Sequence, residues 1–266
     1  MFKSKLVGTL AVLATAAIAP AGAALAQEGP LEPIEPPILP QLHFCDGKLA
    51  TIVGDDAANV LVGQAGVEDV IVALGGNDLI IGRGGGDTIC ADDDNDVVRS
   101  GGGNDTVFGG TGDDVIEAGS GADKVHSGPD DDTVIGGAGD DTFLHGDSGD
   151  DRISGGRGQD DLFGDDDYDD LVGGSGVDIM HGGAKNDRMA AGSGNDSLFG
   201  DDGNDLLRAG AGDDVRVYGN DGDDELDGGP GLDDDCQGAP DADGDGVPDI
   251  GADLLVDADQ TRRCEP

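Results

Sequence analysis

The sequence predicts an all-β protein: a right-handed parallel β-roll of glycine- and aspartate-rich nonapeptide units with disulfide-capped ends. Three observations predict it. An aspartate stands at nearly every ninth residue: Asp78, Asp87, Asp96, Asp105, Asp114, Asp123, Asp132 and Asp141. After one extra residue the run resumes through Asp151, Asp160, Asp169, Asp178, Asp187, Asp196, Asp205 and Asp214, and after another it reaches Asp224. A glycine-rich turn precedes most of these, as in Gly109-Gly110-Thr111-Gly112 before Asp113-Asp114. Two residues after every one of these aspartates but Asp214 comes an apolar residue, in a series running from Ile80, Ile89, Val98, Val107 and Ile116 through Val125, Val134, Phe143 and Ile153 to Leu162, Leu171, Met180, Met189, Leu198, Leu207 and Leu226. A random acidic linker does not hold large apolar residues in one phase. A short period sustained this long marks a one-dimensional architecture.

Within one unit the glycines supply positive-φ turns and let neighbouring turns approach closely. The three residues from Val115 to Glu117 then read as a short strand whose middle side chain, Ile116, faces inward. Turn, strand, turn, strand makes a coil of eighteen residues, stacked about 4.8 Å from the next. Composition excludes an ordinary globular core: 51 glycines, no tryptophan, and 58 acidic against 14 basic residues for a net charge of −44. Such a chain is expected to be disordered alone and ordered by a ligand. No basic patch exists to meet phosphates, so nucleic acid is excluded as a partner. Carboxylates repeated along an edge need a cation.

Along the chain, residues 1–26 read as an export signal: Lys3 and Lys5, the apolar stretch Leu6 to Ala19, and the small-residue cleavage site Ala24-Leu25-Ala26. Pro20 and Gly22 interrupt the stretch, which favours a cleaved signal over a membrane span. Residues 27–41, with Pro30, Pro33, Pro36, Pro37 and Pro40, form a stiff spacer. An N-terminal cap at 42–53, the roll at 54–235 and an acidic C-terminal cap at 236–266 follow. Cys45, Cys90, Cys236 and Cys264 include no Cys-x-x-Cys pair, and their even number in an exported chain favours disulfides. Three connectivities are possible. Cys45–Cys90 with Cys236–Cys264 is favoured, because each bridge would pin one open end of the roll.

The unit Gly-Gly-x-Gly-x-Asp-x-U-x, where U is aliphatic, resembles the nonapeptide repeats of the RTX family, over about Gly54 to Asp235. The resemblance implies a β-roll that binds multiple calcium ions between successive turns, with the repeat aspartates from Asp78 to Asp224 and turn carbonyls as ligands. Pairs eighteen apart, such as Asp105 with Asp123 or Asp114 with Asp132, would share an ion. Calcium suits six to eight oxygens at flexible angles, whereas magnesium wants fewer and more rigid contacts. Several units depart from the pattern. Ala91-Asp92-Asp93-Asp94 replaces a glycine turn, Lys185 puts a positive charge beside a cation position, and Asn59 stands for the first aspartate. Arg216 and Asp235 occupy U positions, so the roll is expected to decay there. Extra residues near Val72, His145 and Tyr218 are expected to form bulges or wider turns.

In the tail, Asp241, Asp243, Asp245 and Asp249 alternate around Gly244 and Gly246. This resembles the calcium loop of EF-hands and, more closely, of thrombospondin type 3 repeats, and implies a further calcium site. Ala252 stands where an EF-hand glutamate would be. No nucleophile elbow, metalloprotease motif or phosphate loop occurs in the sequence. His43, His126, His145 and His181 read as isolated surface residues. The expectation is a secreted, extracellular, non-catalytic calcium-binding roll, monomeric or weakly associating. The alternative is a structural or adhesive protein whose rigid roll presents a surface to a cell-envelope or extracellular polymer.

Overall fold

The computed structural model describes residues 41–230, together with the strands Cys236–Gln237 and Leu254–Val256. The expected signal, the proline spacer, the Cys236–Cys264 bridge and the loop carrying Asp241, Asp243, Asp245 and Asp249 lie outside the described residues.

All regular structure among the described residues is strand: two eleven-stranded parallel sheets and one two-stranded antiparallel hairpin. The first sheet runs from Ile52–Val53 and the second from Val60–Val62, with consecutive strands alternating between them. Each strand therefore pairs with the strand one coil away. Val115–Ser120 lies against Thr133–Ala138, with Ile116 opposite Val134. The parallel solenoid expected from the nine-residue period is the fold observed.

The strands are longer than the expected three residues. Val115–Ser120 alternates exposed and buried positions, sending both Ile116 and Ala118 inward. The core thus has two side-chain rows per sheet, one large and one small. The large row includes Ile89, Val107, Val125, Leu144, Leu162, Met180 and Leu198; the small row includes Ala73, Ala91, Ser100, Ala118, Ser127, Ala191 and Ala209, and both are essentially inaccessible. Elsewhere the small row is glycine, and the space is tight. A β-carbon at Gly182 would stand 2.5 Å from Asp187 Oδ2 and 2.6 Å from the Gly200 carbonyl oxygen. The aspartate of the next turn fills this space, so the row admits nothing bulky.

Two expected core assignments are corrected. Phe143 is 47% exposed, and Leu144 takes its place in the core, opposite Val125 and Leu162. The extra residue is Phe143 itself, set in a left-handed conformation (φ 62°) so that the strand beyond it keeps register. Arg216 likewise points outward while Val217 is buried opposite Leu198, so the roll does not decay there. In both coils the chain adds one residue and keeps the apolar one inside, because a slip of one would turn every later side chain outward. The earliest extra residue falls in the turn before Asp69 rather than near Val72: Ile52 pairs with Ile71 and Leu61 with Ile80, each nineteen apart.

The N-terminal end is covered by an antiparallel hairpin, Phe44–Cys45 with Lys48–Leu49, turning at Asp46-Gly47 with φ of 48° and 70°. Two successive positive φ values suit an Asp-Gly pair. Cys45 is bonded to Cys90, with the Cα atoms 5.8 Å apart, as expected. Closing a loop of 45 residues removes unfolded-state entropy equivalent to about 4 kcal/mol. The bridge thereby ties the hairpin to the strand Thr88–Asp93.

Candidate metal sites along two edges

The turns put the aspartates on two edges, one leading into each sheet. Asp69, Asp87, Asp105, Asp123, Asp141, Asp160, Asp178, Asp196 and Asp214 follow one another along the first edge, each donating its backbone amide to Oδ1 of the next at 2.7–3.0 Å. Asn59, Asp78, Asp96, Asp114, Asp132, Asp151, Asp169, Asp187, Asp205 and Asp224 do the same along the second edge at 2.6–2.9 Å. Residues eighteen or nineteen apart in sequence are thereby brought together, Asp105 with Asp123 and Asp114 with Asp132 among them.

The second oxygen is the informative one. From Asp78 to Asp205, Oδ2 of every repeat aspartate is buried and has no hydrogen-bond partner. A buried carboxylate oxygen without a partner costs several kcal/mol unless a cation or a proton meets it. Burial pushes these carboxyls up, to about 8 at Asp114, Asp151 and Asp187. Asp96, Asp132, Asp141, Asp169, Asp178 and Asp205 reach about 7, and Asp87 and Asp105 about 6. Asp78, Asp123, Asp160 and Asp196 move the same way. At Asp114 loss of solvation is the main cause; the Asp96 amide offsets part of it, and the charges of Asp132 and Asp96 add to it. Each edge is therefore a column of carboxylates poised to take up positive charge.

Backbone oxygens accompany them. A β-carbon on Gly121 would lie 1.9 Å from the Gly103 carbonyl oxygen, and one on Gly139 1.6 Å from that of Gly121. Turn thus sits on turn with carbonyls along the same edge as the carboxylates. Gly110 and Gly112 hold φ of 115° and 111°, which a side chain disfavours. The aspartate turn before Asp96 keeps this shape, with Asp92 and Asp94 at 73° and 78°. Lys185 also adopts the turn conformation (φ 76°), and its ammonium is ion-paired with Asp167 and lies 5.3 Å from the Tyr168 ring centre. The donor set on both edges is oxygen from carboxylates and carbonyls, which fits a hard cation such as calcium.

Three features were missed by sequence reasoning. Asp69 belongs to the first edge: it is buried, and its Oδ2 accepts the Gln64 amide at 2.6 Å. Its nine-residue spacing to Asp78 was the available signal. The polar residue before several of the repeat aspartates also links coils: the Gln159 amide donates to Asp140 Oδ1 and the Asp150 amide to Asp131 Oδ1, at 2.9 and 3.0 Å. Lastly, His126, His145 and His181 are not isolated, because coil stacking places them in one column on the outer face of the first sheet.

Among the described residues no helix is long and apolar enough to cross a membrane. No curated protein matches the chain. The RTX calcium-binding nonapeptide repeat matches it at residues 68–98, 99–134, 108–143, 143–171, 172–207, 181–216 and 202–234, together more than half of the sequence. These spans contain the turns, edges and inward rows described above, and the chain belongs to the RTX calcium-binding nonapeptide-repeat family.

Proposed function

We propose that this protein is a secreted calcium-binding scaffold whose folding is driven by calcium, and not an enzyme. The observation that carries the reading is the column of buried, partnerless Oδ2 atoms from Asp78 to Asp205. The repeat aspartates of the two edges, Asp78 to Asp224, would hold the ions with the turn carbonyls of adjacent coils. Bound calcium supplies the positive charge that lets these carboxylates stay ionised while buried. The chain's own residues supply the spacing: glycine turns that stack, and one large apolar side chain per unit that fixes the register. Export fits the Lys3–Ala26 segment and the Cys45–Cys90 bridge, which persists in oxidising surroundings.

The test is circular dichroism during calcium titration. A coil-like spectrum in chelator, a cooperative gain of β signal with calcium, and a much weaker response to magnesium are expected. A fully formed β spectrum in excess chelator at pH 8 would overturn the role of calcium in folding.

A further inference from the structure

On the outer face of the first sheet, one position per coil forms a column of stacked rings. Phe108, His126, His145, Phe163, His181 and Phe199 follow one another with ring centres 4.4–5.7 Å apart and planes within 15°. Beside it runs a second column, the turn position that is usually glycine: Gly128, Asp147, Asp165, Gly183, Asp201 and Asn220. The two columns match by residue type. Each histidine meets an aspartate one coil further on: His126 with Asp147, His145 with Asp165, His181 with Asp201. The phenylalanines Phe108, Phe163 and Phe199 have Gly128, Gly183 and Asn220 at the corresponding place. These aspartates hold φ of 67°, 75° and 68°, the left-handed conformation that glycine takes at Gly128 and Gly183.

Two of the three pairs are hydrogen bonds, at 2.6 Å for His145 and 2.9 Å for His181. The third is different: His126 Nδ1 and Asp147 Oδ2 stand 3.7 Å apart. It is also the place where two histidines are adjacent with no phenylalanine between them. A donor atom from each of His126, His145 and Asp147 lies within 4.8 Å of the others. Tetrahedral zinc with bonds of about 2.0–2.1 Å sets its ligand atoms roughly 3.3 Å apart, a spacing the 3.7 Å gap reaches with a small shift. Asp165, bonded to His145 Nδ1, fixes that ring as a carboxylate behind a metal-binding histidine does.

We propose that His126, His145 and Asp147 form a site for a nitrogen-preferring divalent cation of the zinc type, with Asp165 as the positioning residue for His145. The site is separate in place and chemistry from the oxygen-lined edges, since imidazole suits zinc and not calcium. One face of the roll would then carry a transition-metal site in register with a calcium scaffold. His181 lies beyond Phe163, paired with Asp201, and takes no part.

The test uses the full chain in excess calcium, so that the edges are filled and the protein is shown folded by circular dichroism before zinc is titrated. Failure of the calcium reading would show as an unchanged spectrum on adding calcium, separately from any zinc result. Calorimetry is expected to give one zinc per chain. His126→Phe and His145→Phe keep the ring stack, because phenylalanine occupies the same column elsewhere, and each should weaken zinc at least tenfold. His181→Phe should leave it unchanged. Absence of zinc binding, or an affinity in His126→Phe or His145→Phe equal to that of the unsubstituted chain, would overturn the proposal.

Discussion

The two oxygens of a repeat aspartate carry separate tasks. Oδ1 of Asp114 accepts the Asp96 amide at 2.7 Å and so helps hold coil to coil, while its buried Oδ2 meets no donor. In this chain Asp114 itself donates to Asp132, and Asp96 to Asp114, so one side chain serves one coil and faces the cation with its other oxygen. Asp114→Asn separates the two tasks. The amide oxygen can still accept from Asp96, and the buried charge is gone. The variant should be more stable than the parent in chelator and should bind fewer calcium ions, read by urea unfolding and calcium stoichiometry. A variant weaker under both conditions would assign Asp114 a purely structural role. The same carboxyls give a pH dependence of definite sign. Their folded values, raised to about 6–8, lie above the ordinary value near 3.9. Protonation therefore favours the metal-free fold: the contribution is full below about pH 4 and is lost as pH rises through 6 to 8. In chelator, β signal should grow as pH falls from 8 to 5.5, whereas calcium affinity should fall over the same range. Loss of β signal on acidification in chelator would refute the assignment.

At the scale of the strand, alternation decides which residue is inside. The period made most of this legible: the inward row from Ile80 to Val134 and from Ile153 to Leu207 follows from counting two residues past each aspartate, and so does the pairing of coils eighteen apart. Counting failed where a coil has nineteen residues. At Phe143-Leu144 and Arg216-Val217 both neighbours are plausible by arithmetic, and only register against Leu162 and Leu198 selects between them. The small inward row was hidden for another reason. Glycine in a turn motif reads as conformational freedom, yet Gly182 belongs to a tight inward row, where a notional β-carbon would stand 2.5 Å from the oxygen of Asp187. The corrected register has a measurable consequence. Leu144→Ala should cost about 2–5 kcal/mol, as expected for a fully buried leucine. Phe143→Ala, half exposed at a bulge, should cost under about 1 kcal/mol. Urea unfolding at saturating calcium compares them, and a reversed order would restore Phe143 to the core.

For the whole molecule the issue is which part of the electrostatic cost a ligand must remove. With 58 acidic residues against 14 basic, simple self-repulsion is an obvious candidate, and monovalent salt would then fold the chain as well as calcium does. The buried edges argue otherwise. For the edge aspartates loss of solvation is the leading cause of the raised carboxyl, with neighbouring charges behind it. Salt at 1 M shortens the screening length to about 3 Å, less than the spacing of about 4.8 Å between coils, and so weakens repulsion among the exposed acids. It returns no partner to an oxygen sealed from solvent. Only an ion that enters the edge and bonds to Oδ2 and the turn carbonyls does that. We therefore expect 1 M sodium chloride in chelator at pH 8 to leave the spectrum coil-like, and calcium added in the same salt to restore the β signal cooperatively along the stacked coils. Folding by sodium chloride alone would show that net charge, rather than the buried aspartate columns, is what calcium neutralises.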